Sequence, residues 1–273
     1  MPKYKMIACD LDGTLFGSDS VLSKENNKAI KEIVNKGIPF VPCTGRTLSE
    51  FREVAEHPDV RYIIYSAGAA IMDKQTGERI QNGLSNEMKA NILDILSHFD
   101  CFPFIHADGK CYVDRALDGM GKKYNLNDIL CCSAALAISI DNFNDFFMET
   151  EAEYFSVFFK SSEDHKKCRE MLMQDESILM AEPWPLNIEI FNKKAGKDSA
   201  LRILAKKLGI DMSEVISIGD SDNDIAALKA AGLGIAVSNG TDAIKEIADE
   251  IACSNDEHIA EYVLKKYFQG EEQ

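Results

Sequence analysis

Short apolar runs alternate with amphipathic helical patterns at both ends of this chain. That alternation restricts the fold more than any other feature, because it builds a parallel sheet covered by helices. MIAC at residues 6–9 reads as a short buried strand. Ser23 caps a helix that runs to about Asn35 and that Gly37 ends. IPFVPC at 38–43 reads as a second strand, followed by a helix from about Leu48 and a third strand at 62–66. Near the C-terminus, helix 197–208, strand 215–219, helix 222–230, strand 234–237 and a last amphipathic helix over about 257–268 repeat the theme. The middle, about 83–190, is an α+β mixture with an Asp108-Gly109 hairpin signal between FPFIHA and KCYVD. Neither flanking half holds enough parallel strands for a covered sheet, whereas the two together do. The expected organisation is a doubly wound α/β core of residues 1–82 and 192–273, with an inserted α+β cap domain at 83–191. A chain of 273 residues that is 45% hydrophobic can fill two such cores.

Four short stretches fall just after an expected strand or at a helix start, where the loops of an open α/β sheet converge on a ligand. The first is Asp10-Leu11-Asp12-Gly13-Thr14. Two carboxylates two residues apart point the same way if strand geometry continues through them, and Gly13 lets the chain turn away. A carboxylate attacks a phosphoryl group once a cation neutralises the repulsion, and a second carboxyl can protonate the leaving oxygen and later deprotonate water. The competing readings are ordinary turn residues or a calcium loop. An EF-hand starting at Asp10 requires glycine at Leu15 and glutamate at Val21, and one starting at Asp220 requires them at Ile225 and Ala231, so both fail.

The second stretch, Gly219-Asp220-Ser221-Asp222-Asn223-Asp224, follows strand VISI and opens a helix. Mg²⁺ takes few protein carboxylates together with water and a substrate phosphate, which makes Asp220 facing Asp10 a suitable site. Asp222 is expected as the helix cap. Thr44-Gly45-Arg46 offers a hydroxyl and a glycine amide to a phosphate oxygen, although Thr-Gly is also a common turn. Lys197 stands at a helix start, where a cation opposes the macrodipole unless an anion lies beside it; Lys193 and Lys194 read as a solvated basic cluster.

The charge balance bears on the ligand. With 45 acidic and 30 basic residues the net charge is -15, which argues against nucleic acid or anionic membrane as partners. An anionic small molecule then needs a local cation or bound metal at its site.

In order and character, DLDGT, CTGR, KDSAL and GDSDND resemble motifs one to four of the haloacid dehalogenase superfamily. The long insertion between the second and third is similar to that of the type IIB, Cof-like sugar-phosphatase branch. The resemblance implies Asp10 as nucleophile and metal ligand, Asp12 as general acid/base whose backbone carbonyl also binds metal, and Asp220 as the third protein ligand of Mg²⁺. It implies Thr44, Gly45, Lys197, Asn223 and the Leu11 backbone as holders of the phosphoryl group, with Asp224 behind the metal ligands. Two positions depart from the family pattern: Asp198 stands where a glycine usually follows the lysine, and Ala67-Gly68 stands where Asn-Gly is frequent. The expected reaction is magnesium-dependent hydrolysis of small phosphomonoesters, sugar phosphates or related metabolites, through phospho-Asp10. Phosphomutase or phosphotransferase chemistry on the same aspartyl phosphate is the alternative within enzymes, and a phosphometabolite-binding regulator is the alternative outside them. The Asp10 and Asp12 pair disfavours the regulator, and Asp12 disfavours dehalogenation.

The N-terminal apolar run is too short for a signal peptide or a membrane span, and no later segment reaches about 18 uncharged apolar residues. A cytoplasmic protein is expected. Its eight cysteines lie at irregular spacings without a C-x-x-C pair and read as reduced thiols, Cys131 and Cys132 included. Cys9 and Cys43 flank the first two motifs as small buried strand residues. Within the insertion, Pro183-Trp184-Pro185 reads as a pocket wall or a rigid loop. His106, Tyr112, Arg115, Lys122 and Lys123 read as contacts for a leaving group or as solvated side chains. The tail GEEQ is expected to be disordered.

Overall fold

The computed structural model describes residues 2–124, 126, 137–182 and 184–269. Cys131, Cys132, Pro183 and the GEEQ tail lie outside the described residues. The chain forms two compact units: Met1–Arg46, Phe51–Ile80 and Gly196–Gln273 make the first, and Thr47–Glu50 with Gln81–Ala195 make the second.

In chain order the first unit begins with β1 (Met6–Cys9), α1 (Lys24–Asn35), β2 (Phe40–Pro42), α2 (Arg52–Ala55), β3 (Tyr62–Tyr65), β4 (Ala70–Asp73) and β5 (Arg79–Gln81). The second unit follows with α3 (Asn86–Leu96), β6 (Cys101–Ala107), β7 (Lys110–Asp114), β8 (Ile138–Ile140), α4 (Phe143–Glu149), β9 (Ala152–Phe159), α5 (Ser162–Leu172), β10 (Ile178–Ala181) and β11 (Asn187–Asn192). The chain returns to the first unit through α6 (Lys197–Leu208), β12 (Val215–Gly219), α7 (Ile225–Ala230), β13 (Leu233–Ala236), α8 (Asp242–Ile247), β14 (Glu250–Ile251) and α9 (Ile259–Val263).

The first unit is built on a parallel sheet of order β14-β13-β12-β1-β2. Strand β1 sits beside β12 with Met6 opposite Val215, so strands from the two ends of the chain share one ladder. All four residues of β1 are buried, as a parallel strand covered on both faces requires. Met6, Ala8, Val41 and Val215 pack with Leu201 and Leu204 of α6. Helix α1 is capped where Ser23 Oγ accepts from the Asn26 amide, and Gly37 takes φ 82 beyond its end.

The sequence pattern misled at two places here. The helix expected from Leu48 is a single 3₁₀ turn, Leu48–Glu50, followed by the four-residue α2. The third strand pairs antiparallel with β4 in a three-stranded β3-β4-β5 sheet and touches the parallel sheet through one bridge, Cys43 to Ile64. Short apolar runs specify burial but not the partner strand.

The second unit is a six-stranded sheet of order β10-β11-β9-β6-β7-β8, antiparallel except where β7 meets β8. Asp108 and Gly109 both take positive φ, 54 and 68, and close the β6–β7 hairpin as the Asp-Gly pair predicts. On one face Ile92, Phe147, Phe155, Phe159 and Leu172 join strands to helices α3, α4 and α5. On the other, Phe102, Phe104, Val113 and Phe158 lie with Tyr124 and Leu126. Among the described residues no helix is long and apolar enough to cross a membrane.

Candidate active site

Strand β1 delivers Asp10 at its carboxyl end. The Asp10 amide donates to the Ile218 carbonyl at 3.0 Å, which fixes its height against β12. The residue is only 6% exposed. Three residues on, Gly13 turns the chain at φ 75, and a Cβ there would stand 2.6 Å from Asp220 Oδ2. Glycine at this position therefore serves both the turn and the close approach of the Asp220 loop.

Strand β12 delivers the acidic turn. Asp224 Oδ2 accepts from the amides of Asp220 and Ser221 at 3.2 and 3.3 Å, so Asp224 takes the capping role expected of Asp222. The exposed Asp222 carboxylate instead accepts from the Thr241 hydroxyl at 3.3 Å. Asp220 Oδ1 accepts from Thr14 Oγ1 at 3.3 Å.

Helix α6 begins with Lys197, which is 3% exposed. Its Nζ donates to Asp10 Oδ1 at 2.6 Å, to Asp224 Oδ1 at 2.7 Å and to Asn223 Oδ1 at 3.4 Å. An anion beside the helix start thus accounts for the lysine there. The position of this helix start depends on a left-handed turn, Ser66-Ala67-Gly68, with φ of 50, 54 and 91. A Cβ on Gly68 would stand 2.2 Å from the Gly196 carbonyl oxygen. The same turn holds the second motif: the Ala67 amide donates to the Thr44 carbonyl at 3.0 Å and the Ser66 amide to the Arg46 carbonyl at 2.9 Å. Thr44 is buried and its Oγ1 accepts from the Arg46 amide, while Gly45 is exposed.

Burial penalises these charges. Desolvation raises the Asp10 carboxyl to about 7 although Lys197 pulls the other way, because Asp224 and Asp220 add negative charge beside it. Desolvation also raises Asp220. Desolvation opposes protonation of Lys197, but Asp10 and Asp224 outweigh it and hold the ammonium well above its ordinary range. Burial pushes the Cys43 thiol up to about 12 and Cys9 upward as well, so both are neutral, packed side chains.

Carboxylate oxygens of Asp10, Asp220 and Asp224 lie within 4.8 Å of one another. Three carboxylates against one ammonium leave excess negative charge, and an all-oxygen donor set suits a hard divalent cation. The residues present therefore fit Mg²⁺. The Asp12 carboxylate stands apart from this group: half-exposed, it accepts from Arg46 Nε at 2.7 Å and from Nη2. Asp10 and Asp12 thus have different partners, with Gly13 turning directly after Asp12. Arg46 was visible within the second motif, but its pairing was not.

A model of the haloacid dehalogenase-like hydrolases matches residues 7–264. The chain belongs to that family. A Bacillus subtilis relative named 5-amino-6-(5-phospho-D-ribitylamino)uracil phosphatase is 31% identical over 251 residues, covering 92% of this chain and 90% of that one. A haloacid dehalogenase-like hydrolase structure from Bacillus subtilis superposes with TM-score 0.74 at 26% identity, over 96% of this chain and 99% of the other. The fold is also that of a subclass IIB sugar phosphatase, with TM-score 0.73 at 18% identity, covering 96% and 98% of the two chains. This haloacid dehalogenase-like protein is accordingly a phosphatase-type hydrolase.

Of the side chains singled out in the second unit, His106 is neither solvated nor open: it is 4% exposed and stacks on Tyr154. Tyr112 packs against Phe146, Arg115 pairs with Asp141, and Lys122, Lys123 and Trp184 are exposed.

Proposed function

We propose that this chain hydrolyses small phosphomonoesters, sugar phosphates or related metabolites, in two steps with Asp10 as nucleophile and Mg²⁺ as cofactor. The observation that carries this reading is the buried Asp10 carboxylate, held by Lys197 beside Asp220 and Asp224. Asp10 attacks phosphorus, and the ester oxygen departs with a proton from Asp12. Asp12 then removes a proton from the water that cleaves the aspartyl phosphate and restores Asp10. While both its oxygens accept from Arg46, Asp12 can take a proton but not give one, so the donating step requires release from that pair. Lys197, Thr44, the Gly45 and Leu11 amides and Asn223 hold the phosphoryl oxygens. Mg²⁺, held by Asp10, Asp220 and the Asp12 carbonyl, supplies positive charge that an acidic protein otherwise lacks at this place. Asp224 supports the ligands from behind through the Asp220 amide and Lys197.

The relative's name, a phosphatase of a phosphorylated ribitylamino compound, supports a sugar or alditol phosphate as the substrate class. Residues 83–191 form the cap that selects the organic part of the substrate. The free cysteines among the described residues are in keeping with a cytoplasmic location. A panel of sugar, alditol and nucleoside phosphates, assayed for magnesium-dependent phosphate release, tests the reading. Release from several sugar phosphates, with label trapped on Asp10 from a labelled ester, is expected. A wild-type protein that turns over none of them, or an Asp10→Asn variant as active as the parent, overturns it.

A further inference from the structure

The turn that follows Asp10 is held by side chains that lie outside the four motifs. Two backbone bonds close it, from the Leu15 amide to the Asp10 carbonyl at 3.2 Å and from the Phe16 amide to the Leu11 carbonyl at 2.9 Å. Asp12 and Gly13 sit inside it at non-helical angles, φ -74 and ψ 121 for Asp12, φ 75 and ψ 0 for Gly13. These angles interrupt any regular ladder around Gly13, and glycine, having no Cβ, resists rotation least. Side-chain amides of three asparagines bond to carbonyls of this turn instead. Asn239 Nδ2 donates to the Gly13 carbonyl at 2.7 Å, Asn26 Nδ2 to that of Leu15 at 2.9 Å and Asn255 Nδ2 to that of Phe16 at 3.1 Å.

Asn239 differs from the other two in where its loop lies. The loop follows β13, which β12 separates from β1 in the sheet, so Asn239 reaches past the end of β12 to the turn after β1. The same loop is fastened to the acidic turn after β12. The Thr241 amide donates to the Asp220 carbonyl at 2.8 Å, and a Cβ on Gly240 would stand 2.9 Å from that oxygen. The Asn239 side chain is itself fixed, because its Oδ1 accepts from the Asn255 amide at 2.8 Å. Residues 239–241 therefore hold the segments that carry Asp12 and Asp220 at once.

We propose that Asn239 is a positioning residue that sets the Asp12 peptide against Asp220. Its bond to the Gly13 carbonyl fixes the glycine joint next to Asp12, while the Thr241 amide fixes Asp220 from the same loop, so the two segments assigned to Mg²⁺ keep one spacing. Without that bond Gly13 rotates more freely, the Asp12 carbonyl loses its aim and the Asp12 carboxylate depends on Arg46 alone. The inference rests on the phosphatase reading for the roles of Asp12 and Asp220. It deepens that reading by adding a residue that acts on the site through the Gly13 carbonyl.

The test measures Mg²⁺ affinity by calorimetry, steady-state rates on p-nitrophenyl phosphate and melting temperature in wild type, Asn239→Ala, Asn239→Asp and Ser18→Ala. Asn239 is exposed, so its replacement leaves the core packed. Asn239→Ala is expected to weaken Mg²⁺ binding about tenfold and to lower kcat about tenfold at saturating Mg²⁺ with KM little changed, the scale for a residue that orients metal ligands. Asn239→Asp keeps an oxygen for the Asn255 amide and removes the donor to Gly13, so the same loss of kcat is expected. A wild-type kcat in Asn239→Asp would show that only the tie to Asn255 matters and would overturn the inference. Ser18→Ala is the stability control. It removes the hydroxyl that donates to Asp256 Oδ2 at 2.7 Å, a contact that leaves the three turn carbonyls bonded, so Mg²⁺ affinity and kcat are expected to hold. Equal losses in Ser18→Ala and Asn239→Ala would mean general loosening and would also overturn it. If wild type hydrolyses no ester, the phosphatase reading fails and calorimetry alone decides the inference. Mg²⁺ bound about tenfold more weakly by Asn239→Ala than by wild type then sustains it, and equal or absent binding overturns it.

Discussion

Arg46 engages both carboxylate oxygens of Asp12, donating from Nε to Oδ2 at 2.7 Å and from Nη2 to Oδ1, while its guanidinium lies 5.6 Å from the Phe16 ring centroid. A forked donor fixes both the direction and the plane of a carboxylate, which a lysine in its place does not. Arg46 is thereby placed to orient the residue proposed to move protons at this site.

Arg46→Ala is therefore expected to lower kcat by about tenfold to a hundredfold, the scale of misplacing a positioned catalytic group. Asp12→Asn alone is expected to lower it by about 10² to 10⁴. The double variant tests the coupling: if Arg46 acts through Asp12, it is little slower than Asp12→Asn by itself. Fully additive losses in the steady-state rates would show that Arg46 works elsewhere.

Asp10 and Lys197 are expected to respond oppositely in stability although both are proposed to serve turnover. Asp10→Asn removes one of three crowded carboxylates and leaves Lys197 paired with Asp224, so activity is abolished while the melting temperature holds or rises. Lys197→Ala strands Asp10 and Asp224 as buried anions, a change that costs about 3–5 kcal/mol. Chemical denaturation of the two variants reads the difference directly.

The same crowding predicts a magnesium effect that needs no substrate. An ion bound only by the folded protein stabilises it by about 2.7 kcal/mol when present at a hundred times its dissociation constant. Thermal unfolding with and without Mg²⁺ is expected to show the shift in wild type and to show it diminished in Asp220→Asn. An equal shift in both would place the ion elsewhere.

Ala67 holds φ 54 in the turn that carries Thr44 and abuts Gly196. A left-handed conformation costs a residue with a Cβ roughly 1–2 kcal/mol. Ala67→Gly is expected to recover about 1 kcal/mol, and Ala67→Asn a smaller part of it, with activity retained. Gly68→Ala drives a Cβ against the Gly196 carbonyl and is expected to destabilise the protein and weaken inorganic phosphate binding through Lys197. Denaturation midpoints that order these three variants differently would refute the strain argument.

Burial lowers His106 from its ordinary 6.5 to about 3. The unfolded chain therefore takes up this proton first as pH falls, so stability present above pH 6.5 is lost progressively down to about pH 3. Between pH 6.5 and 5 the loss amounts to about 2 kcal/mol, at 1.36 kcal/mol per pH unit. His106→Phe is expected to flatten this part of the stability profile. A profile unchanged by the substitution would mean that His106 titrates normally in the folded protein.

By itself, the sequence determined the elements whose signals are local and the family whose motifs are short. Ser23 and Gly37 bound α1, Asp108-Gly109 closes its hairpin, and β12 and α6 occupy the residues that period and flanking turns indicate, because caps, turns and periodicity act within a few residues. The DLDGT, CTGR, KDSAL and GDSDND stretches likewise pointed to Asp10, Lys197 and Asp220, since strand ends in an α/β sheet converge. Only the tertiary structure decided which of these charges meet. Lys197 and Asp10 are 187 residues apart in the chain yet 2.6 Å apart in space, and Asp12 turns to Arg46 rather than joining Asp10. Packing also decided that β3 pairs with β4, that Ala67 adopts a glycine-like conformation, and that His106 is a buried ring stacked on Tyr154. These outcomes depend on burial and on partners distant in sequence, and the energies that select them exist only once the chain has closed on itself.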